Sequence, residues 1–589
     1  MPQARDLILS RRELEFLLYD WLDVTALTAR PRFAAHSRET FDAVLELAAD
    51  IATEKFAPHN KRNDAEEPRF VTTDGVGRVE LHDEVAPALR AAAEAGLLSA
   101  TMDEQAGGLQ LPYVVGVALQ AWFHAANVGT WAYAMLTVAN ANLLLAHAAP
   151  ELVDAYVPAM LEGRAHGTMC LSEPQAGSSL ADITTRAEPA PDGTYRVTGT
   201  KMWISGGDHE LGENIVHLVL AKVPGGPAGV RGISLFLVPK ILPDGTRNDV
   251  ALTGVNHKMG YRGTVNTLLS FGESGGAVGH LVGAEGRGLA LMFHMMNEAR
   301  VGVGAGAAAL ACTGYLKSLD YARGRPQGRP AGAKDPSAPM VPIVRHADVR
   351  RMLLAQKAYA EGALALVLYC GRLVDEERTG PDPEGAHLLL ETLTPIAKSW
   401  PSQWGLEANA LAIQVQGGYG YTREYDVEQH YRDNRLNPIH EGTHGIQAAD
   451  LLGRKVVMAG GAGFAALCDR VRDTVARAGE DGGTADEAAQ LGAALDRLVE
   501  VTGLLHDHPD VEARLANAGV YLEAAGHVVV AWLWLDQVLA AAGREDDLAR
   551  GKRAAARFFF RFELPKVGPW LELLASLDRT TLDTDPDWL

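Results

Sequence analysis

Cysteine is scarce in this sequence: Cys170, Cys312, Cys370 and Cys468 are the four in 589 residues, and none forms a C-x-x-C pair. That spacing argues against a disulfide framework or a cysteine-rich zinc site and fits an intracellular, cytoplasmic protein. Positive charge is short as well. Lysine and arginine number 54 against 74 acidic residues, a formal charge of -20, so no nucleic-acid partner is expected. The deficit does not exclude an anionic cofactor, since backbone N–H groups and a few arginines suffice to hold one. The stretch "MPQARDLILSRRELEFLLYDWLD" has charges through its apolar run and does not read as a signal peptide. No apolar run of membrane-spanning length stands out free of charges and strong breakers, so no transmembrane segment is expected.

What is present is enough chain for several cores. "FDAVLELAADIATEKFAP" and "EVAPALRAAAEAGLL" carry apolar residues at helical spacing. From Gly167 the texture changes to short apolar or alternating runs such as "NIVHLVLAKV" and "GISLFLVPK", the pattern of a small antiparallel β domain. Helical periodicity returns near Leu289 and continues, after a long Pro/Gly-rich loop from Gly324 to Pro342, to the end. The expected class is α+β, mostly α. A helical N-terminal domain (1–160) precedes a middle β-barrel or sandwich (161–287), a helical bundle (288–456) and a further C-terminal helical domain (457–589).

One stretch invites a misreading. "NPIHEGTHGIQ" contains a literal H-E-x-x-H, the zinc-peptidase pattern, with Asp450 six residues after His444. Such a site needs both histidines one turn apart on a regular helix. Here Pro438 lies upstream, Gly442, Thr443 and Gly445 are weak helix formers, and Gln447 stands where a glycine turn is required. No metal is expected, and His440 and His444 read as packing residues.

Four stretches point elsewhere. "MCLSEPQAGSSLADITTRA" places Ser172, Gly177, Ser178 and Ser179 in a turn rich in donors. "GTKMWISGG" sets Trp203 beside Ser205, where a tryptophan by itself reads as a core residue. "NALAIQVQGGYGYTREYDVEQHYRDNRLNPIHEGT" holds the Gly417–Gly418 pair, open to close backbone approach. "YARGRPQGR" offers Arg325, a fork of donors suited to phosphate.

In this order, over roughly residues 40–455, the stretches resemble the acyl-CoA dehydrogenase family. "CLSEPQAGSS" is similar to its C-L/V-T/S-E-P-x-A-G-S signature, and "QVQGGYGYTREYDVEQHYRDNRL…EGT" to its second. The added ends resemble the long bacterial subgroup. The resemblance implies FAD as cofactor and an acyl-CoA substrate. It also implies electron-transferring flavoprotein as acceptor and a homo-oligomer, dimer or tetramer. It assigns the catalytic base to Glu441. The residue before Arg300 is Ala299, so the family's other base position is empty, and Glu298, one step away, is turned by about 100°.

The resemblance further implies flavin-ring contacts for Met169, Leu171 and Ser172, and a pyrophosphate contact for Ser178. Trp203 and Ser205 would cover the ring's other side, and Thr443 would touch the cofactor. Arg325, Gln327, Gln414, Gly417 and Gly418 would reach the FAD of a neighbouring subunit. Ser178, Asn297 and Arg300 would bind CoA. Gly445 departs from a frequent glutamine, Asn297 from an aspartate and His440 from a tyrosine. His440 either packs beside Glu441 or tunes it. An acyl-CoA oxidase or a DNA-associated flavoprotein of the same fold are the rival readings.

Overall fold

The apolar runs between Ala165 and Val282 are too short for helices and long enough for strands, and in the computed structural model they form a closed barrel. The structure describes residues 4–589 except 74, 333, 334, 336 and 481, and the side chains of all of these except Thr73, Val76 and residues 293–297. The chain is mostly helical and forms two compact units. One comprises Asp42–Leu111 and Ala126–Ala299; the other comprises Met1–Phe41, Pro112–Ala125 and Arg300–Leu589.

In the first unit a hairpin joins β1 (Arg69–Thr73) to β2 (Val76–Glu80), with Arg69 opposite Glu80. Helical reading of the first 160 residues missed it, because five-residue strands leave too little alternation to compete with the helices around them. The barrel strands come next: β3 (Ala165–Cys170), β4 (Arg186–Pro189), β5 (Tyr195–Ser205) and β6 (Asn214–Lys222). Then come β7 (Ile233–Pro239), β8 (Val250–Val255), β9 (Asn266–Phe271) and β10 (Ala277–Val282). Most pairs are antiparallel, and β10 closes the barrel by pairing with both β7 and β5. β3 is an exception to the antiparallel pattern: it runs parallel to β6, Ala165 opposite Asn214 and Cys170 opposite Val219. Every residue of β7 is buried, which explains its unbroken apolar run.

The helix Tyr113–His147 bends at Asn127, whose φ of -165° is extended. The Asn127 Oδ1 accepts from the Thr130 N–H at 3.0 Å and so caps the helical segment beyond the bend. Within this unit Asn140 Nδ2 donates to the carbonyls of Thr168 (3.0 Å) and Val216 (2.8 Å), fixing the helix to β3 and β6.

Buried histidines make this unit sensitive to acid. Burial pushes His166 down to about 4, His217 to about 3 and His209 well below its ordinary value. All three are neutral in the folded chain, whereas the unfolded chain takes up their protons below pH ~6.5. Their contribution is therefore complete at neutral pH and is lost as pH falls from about 6.5 toward the folded values. His166 and His217 should each cost about 2 kcal/mol at pH ~5, and His209 adds to the loss in the same direction. Denaturant midpoints measured at pH 7.5 and 5.0 should drop accordingly; an unchanged midpoint would refute this account.

The second unit is built on long helices, Ala347–Thr379 and Pro383–Gln416, against which the helices Ala462–Glu480, Ala518–Ala540 and Asp547–Phe558 pack. Lys552, Glu13, Glu361 and Lys357 form a buried charge cluster. Lys552 Nζ bonds Glu13, Lys357 bonds Glu361, and Lys552 lies 3.4 Å from Glu361. Two cations balance two carboxylates, which is what allows the group to stay dry.

Three helical stretches are long and apolar enough to cross a membrane: Tyr113–His147, His444–Glu480 and Ala518–Ala540. Polar residues and a glycine break interrupt them, which is why none stood out as a span in the sequence. Their apolar windows are 67%, 39% and 83% buried inside the protein, so packing accounts for much of that apolarity.

Candidate active site

In the barrel unit the "CLSEPQAGSS" loop is organised from below by a charge. Glu173 is buried and accepts from the Thr184 N–H (2.7 Å) and hydroxyl (2.8 Å) and from the Thr185 N–H (3.0 Å) and hydroxyl (2.6 Å). Lys201, fully buried on β5, reaches Glu173 Oε1 at 3.0 Å and the Leu171 carbonyl at 2.9 Å. Burial alone would raise Glu173, but Lys201 and the four donors outweigh it and hold the carboxyl at about 2. Burial lowers Lys201, with Glu173 opposing. Sequence reading missed Lys201 altogether, since a lysine in a strand gives no local sign of its partner.

Met169 and Leu171 are partly buried against the barrel core, the Ser172 carbonyl accepts from Met202 N at 3.0 Å, and Ser178 is exposed. Trp203 corrects the reading as a core residue. It is 59% exposed and has a φ of +65°, at a bulge where the β5–β9 register slips between Lys201 and Ile204. The bulge turns the indole out of the barrel. Two residues on, Ser205 Oγ accepts from Asn266 at 3.3 Å.

In the helical unit Arg325, Gln327, Gln414, Gly417 and Gly418 are all exposed. The Arg325 guanidinium sits 5.5 Å from the centre of the Tyr419 ring, which joins the Arg-loop to the Gly-Gly turn. The base of the long loop is closed by Gln327 N to Val341 O (2.9 Å) and Ile343 N to Arg325 O (2.8 Å). Gly417 has a φ of +61° and nothing within 4 Å of where a Cβ would be, leaving its backbone open to a ligand.

The same unit holds Glu441. It has a φ of +52° and Gly442 one of +84°, two left-handed residues in succession. A Cβ at Gly442 would stand 2.7 Å from Gln447 Nε2. Two buried side chains hold this turn by its carbonyls: Gln447 Nε2 donates to Glu441 O at 3.0 Å, and Lys398 Nζ to Gly442 O at 2.8 Å. Among the described residues none accepts from the Glu441 N–H. Burial raises the Glu441 pKa above its ordinary value, against the pull of Lys398 and Arg300.

Thr443 is the N-cap of the helix His444–Gly453, its hydroxyl accepting from Ile446 N at 3.3 Å. The helix starts only at His444, so His440 and His444 do not share one. His440 Nε2 meets Asn437 Oδ1 at 3.1 Å, while His444 Nε2 meets Glu523 at 3.2 Å. Asp450, the would-be third ligand, pairs with Arg300 (3.1 Å) and Arg454 (2.7 Å). Among the described residues no group of three or more potential ligands is placed to hold a metal. Burial, with Lys398 beside it, pushes His440 down to about 3, so it is neutral at physiological pH. Arg300 is 4% exposed and turned toward Asp450. The Asn297 side chain lies outside the described residues.

Comparison with known proteins agrees along the chain. The acyl-CoA dehydrogenase family models match in order: the N-terminal domain at residues 38–164, the middle domain at 168–273 and the C-terminal domain at 286–456. An "Acetyl-CoA dehydrogenase C-terminal like" model matches residues 467–585. 3-Methylmercaptopropionyl-CoA dehydrogenase of Ruegeria pomeroyi is 35% identical, covering 91% of this chain and 90% of its own. The broad-specificity linear acyl-CoA dehydrogenase FadE5 of Mycobacterium tuberculosis is 33% identical, covering 96% and 95%. Among solved structures, Caenorhabditis elegans ACDH-11 in complex with C11-CoA superposes with a TM-score of 0.78 at 17% identity, over 97% of this chain and 96% of its own. Bacillus anthracis acyl-CoA dehydrogenase complexed with FAD gives 0.76 at 20%, over 97% and 95%. With all three domain models matched in sequence and a curated relative 35% identical over nine-tenths of both chains, this protein belongs to the acyl-CoA dehydrogenase family, whose members are FAD-dependent enzymes.

Proposed function

We propose that this enzyme removes the α proton of an acyl-CoA thioester with Glu441 and yields the trans-2-enoyl-CoA. The observation that carries the reading is the Glu441–Gly442 turn. A carboxylate raised by burial is held in a left-handed backbone by two buried side chains. The α C–H of a thioester is weakly acidic, so its removal needs a positioned base and a polarised carbonyl. An acyl chain entering beside Glu441 displaces water and raises its proton affinity further, toward that of the group it must deprotonate. Among the described residues none accepts from the Glu441 N–H, which leaves it available to the thioester oxygen.

FAD, when bound, supplies the two-electron acceptor for the β hydride. The chain's residues fit it. An exposed indole on a bulge suits a ring face, and the Ser178 turn, pinned by Glu173, suits a pyrophosphate. We assign Met169, Leu171, Ser172, Trp203, Ser205 and Thr443 to the cofactor. The exposed set of Arg325, Gln327, Gln414, Gly417 and Gly418 is assigned to the FAD of a second copy, making the enzyme a homo-oligomer. Ser178 and Asn297 remain the CoA assignments. The burial of Arg300 and its pairing with Asp450 favour a role beside Glu441 over one at the nucleotide. The enzyme is proposed to be cytoplasmic, to act in fatty-acid β-oxidation or on a sulfur-containing acyl chain, and to pass electrons to an electron-transferring flavoprotein.

The test is optical. Purified protein should be yellow and should bleach when octanoyl-CoA or butyryl-CoA is added without oxygen. Reoxidation should need electron-transferring flavoprotein or a dye. Fast reoxidation by oxygen alone would make the enzyme an oxidase, and a colourless preparation would overturn the reading.

A further inference from the structure

Lys398 stands where a lysine is costly. It lies inside the helix Pro383–Gln416, between Pro395 and Pro401, and its side chain is fully buried. Its partner sets it apart from a structural buried cation. Among the described residues its hydrogen-bond acceptor is a neutral carbonyl, Gly442 O at 2.8 Å, and not a carboxylate. The other buried lysines sit on carboxylates: Lys201 on Glu173, Lys240 on Asp208, Lys455 on Glu391 and Lys552 on Glu13. The carbonyl that Lys398 holds belongs to the residue after Glu441, in the left-handed pair that sets where the carboxylate points.

We propose that Lys398 is a positioning residue for the dehydrogenation. It fixes the Glu441–Gly442 turn through the Gly442 carbonyl and supplies a buried positive charge that favours the ionised form of Glu441. The inference rests on Glu441 being the base. The charged and titratable groups around it are few. Glu441 and His440 lie on the loop itself, and Arg300 comes from the helix Gly288–Gly324. Arg300 pairs with Asp450, which it shares with Arg454, and it also acts on Glu441. His440 is neutral and brings no charge. From the helices Ala347–Thr379 and Ala518–Ala540, Tyr359 and His527 face Trp400, at 6.3 and 6.0 Å between ring centres. His430, on the helix Val427–Asn434, meets Lys317 at 3.3 Å. Lys398 is therefore the larger of the two cationic influences on Glu441, ahead of Arg300, and the one that also holds the turn. Consistent with this, burial lowers Lys398 to about 8 despite the pull of Glu441.

Replacing the ammonium separates its two tasks. Lys398→Gln keeps a donor for the Gly442 carbonyl and removes the charge; Lys398→Met removes both; Lys398→Arg keeps both. With FAD-loaded enzyme, butyryl-CoA, octanoyl-CoA and a dye acceptor, the acid limb of the kcat/KM profile should move alkaline by about one pH unit in Lys398→Gln, since one unit is a tenfold change in ionisation. Lys398→Met should shift the limb equally and also lose kcat at the alkaline plateau. Lys398→Arg should retain the parent limb. A limb that stays in place in Lys398→Gln, with loss uniform across pH, would overturn the proposal, and so would a limb that moves in Lys398→Arg. If the neutral variants do not fold, the Glu441 carboxylate band decides. In the infrared difference between parent and Glu441→Gln, it should titrate at the same pH in Lys398→Arg as in the parent, and a displaced midpoint would refute the charge role. Turnover retained in Glu441→Gln would instead remove the base assignment itself, a result distinguishable from any of these.

Discussion

Glu441→Gln is expected to lower turnover by about a thousandfold while leaving bound FAD and the fold intact, as the loss of a positioned general base does. The fold should survive because the turn is held by main-chain atoms. Gln447 grips the Glu441 carbonyl and Lys398 the Gly442 carbonyl, so neither bond uses the carboxylate. Glutamine has nearly the same shape and can occupy the left-handed position already imposed on residue 441. What it lacks is a lone pair basic enough to take the α proton. The yellow colour and melting temperature should match the parent, while bleaching by octanoyl-CoA becomes slow. A variant within tenfold of the parent would move the base elsewhere.

The second large effect is on stability and cofactor retention. Glu173→Ala should destabilise the barrel unit by about 3–5 kcal/mol, because it strands a buried ammonium. Lys201 would keep the Leu171 carbonyl as a partner, and the N–H groups and hydroxyls of Thr184 and Thr185 would lose their acceptor. The Ser178 turn is tied to those residues through the short Glu173–Ala176 bridge, so it should loosen as well. Flavin should then be lost on gel filtration of the variant. Normal flavin content with a melting temperature within a degree of the parent would show that Glu173 is not the anchor. The pairing also has a pH signature. Glu173 is held at about 2, so its contribution is present above the unfolded carboxyl value of 4.5 and fades only as pH falls toward 2.

Much of this was visible in residue order alone, and the parts that were not share a cause. Helix periodicity and the short apolar strands place the barrel between helical blocks, because both patterns are local. The E-G-T frame and the C-L-S-E-P turn are also local, which is why the family resemblance could be read from them. Lys398 lies 44 residues from Gly442, and Lys201 28 from Glu173, so their partners are set by tertiary packing. Gln447 looked like a flaw in a zinc pattern and instead holds the Glu441 carbonyl. Trp203 read as core because tryptophan is usually buried; a bulge of one register step reversed it. The question over His440 narrows too: a neutral ring bonded to Asn437 can shape the surroundings of Glu441 but adds no charge to them.

The buried cluster of Glu13, Lys357, Glu361 and Lys552 bears on how the protein is made. Glu13 and Lys552 are 539 residues apart. On a ribosome moving at about 5–20 residues per second, roughly half a minute to two minutes separates their synthesis. Throughout that interval the amino-terminal segment has no ammonium from the last helices to bury against. The helix Ala518–Ala540, which covers the bundle, is also still missing. Until those last helices are made, the nascent bundle is left with an exposed apolar face and with Glu13 lacking the ammonium it is buried against.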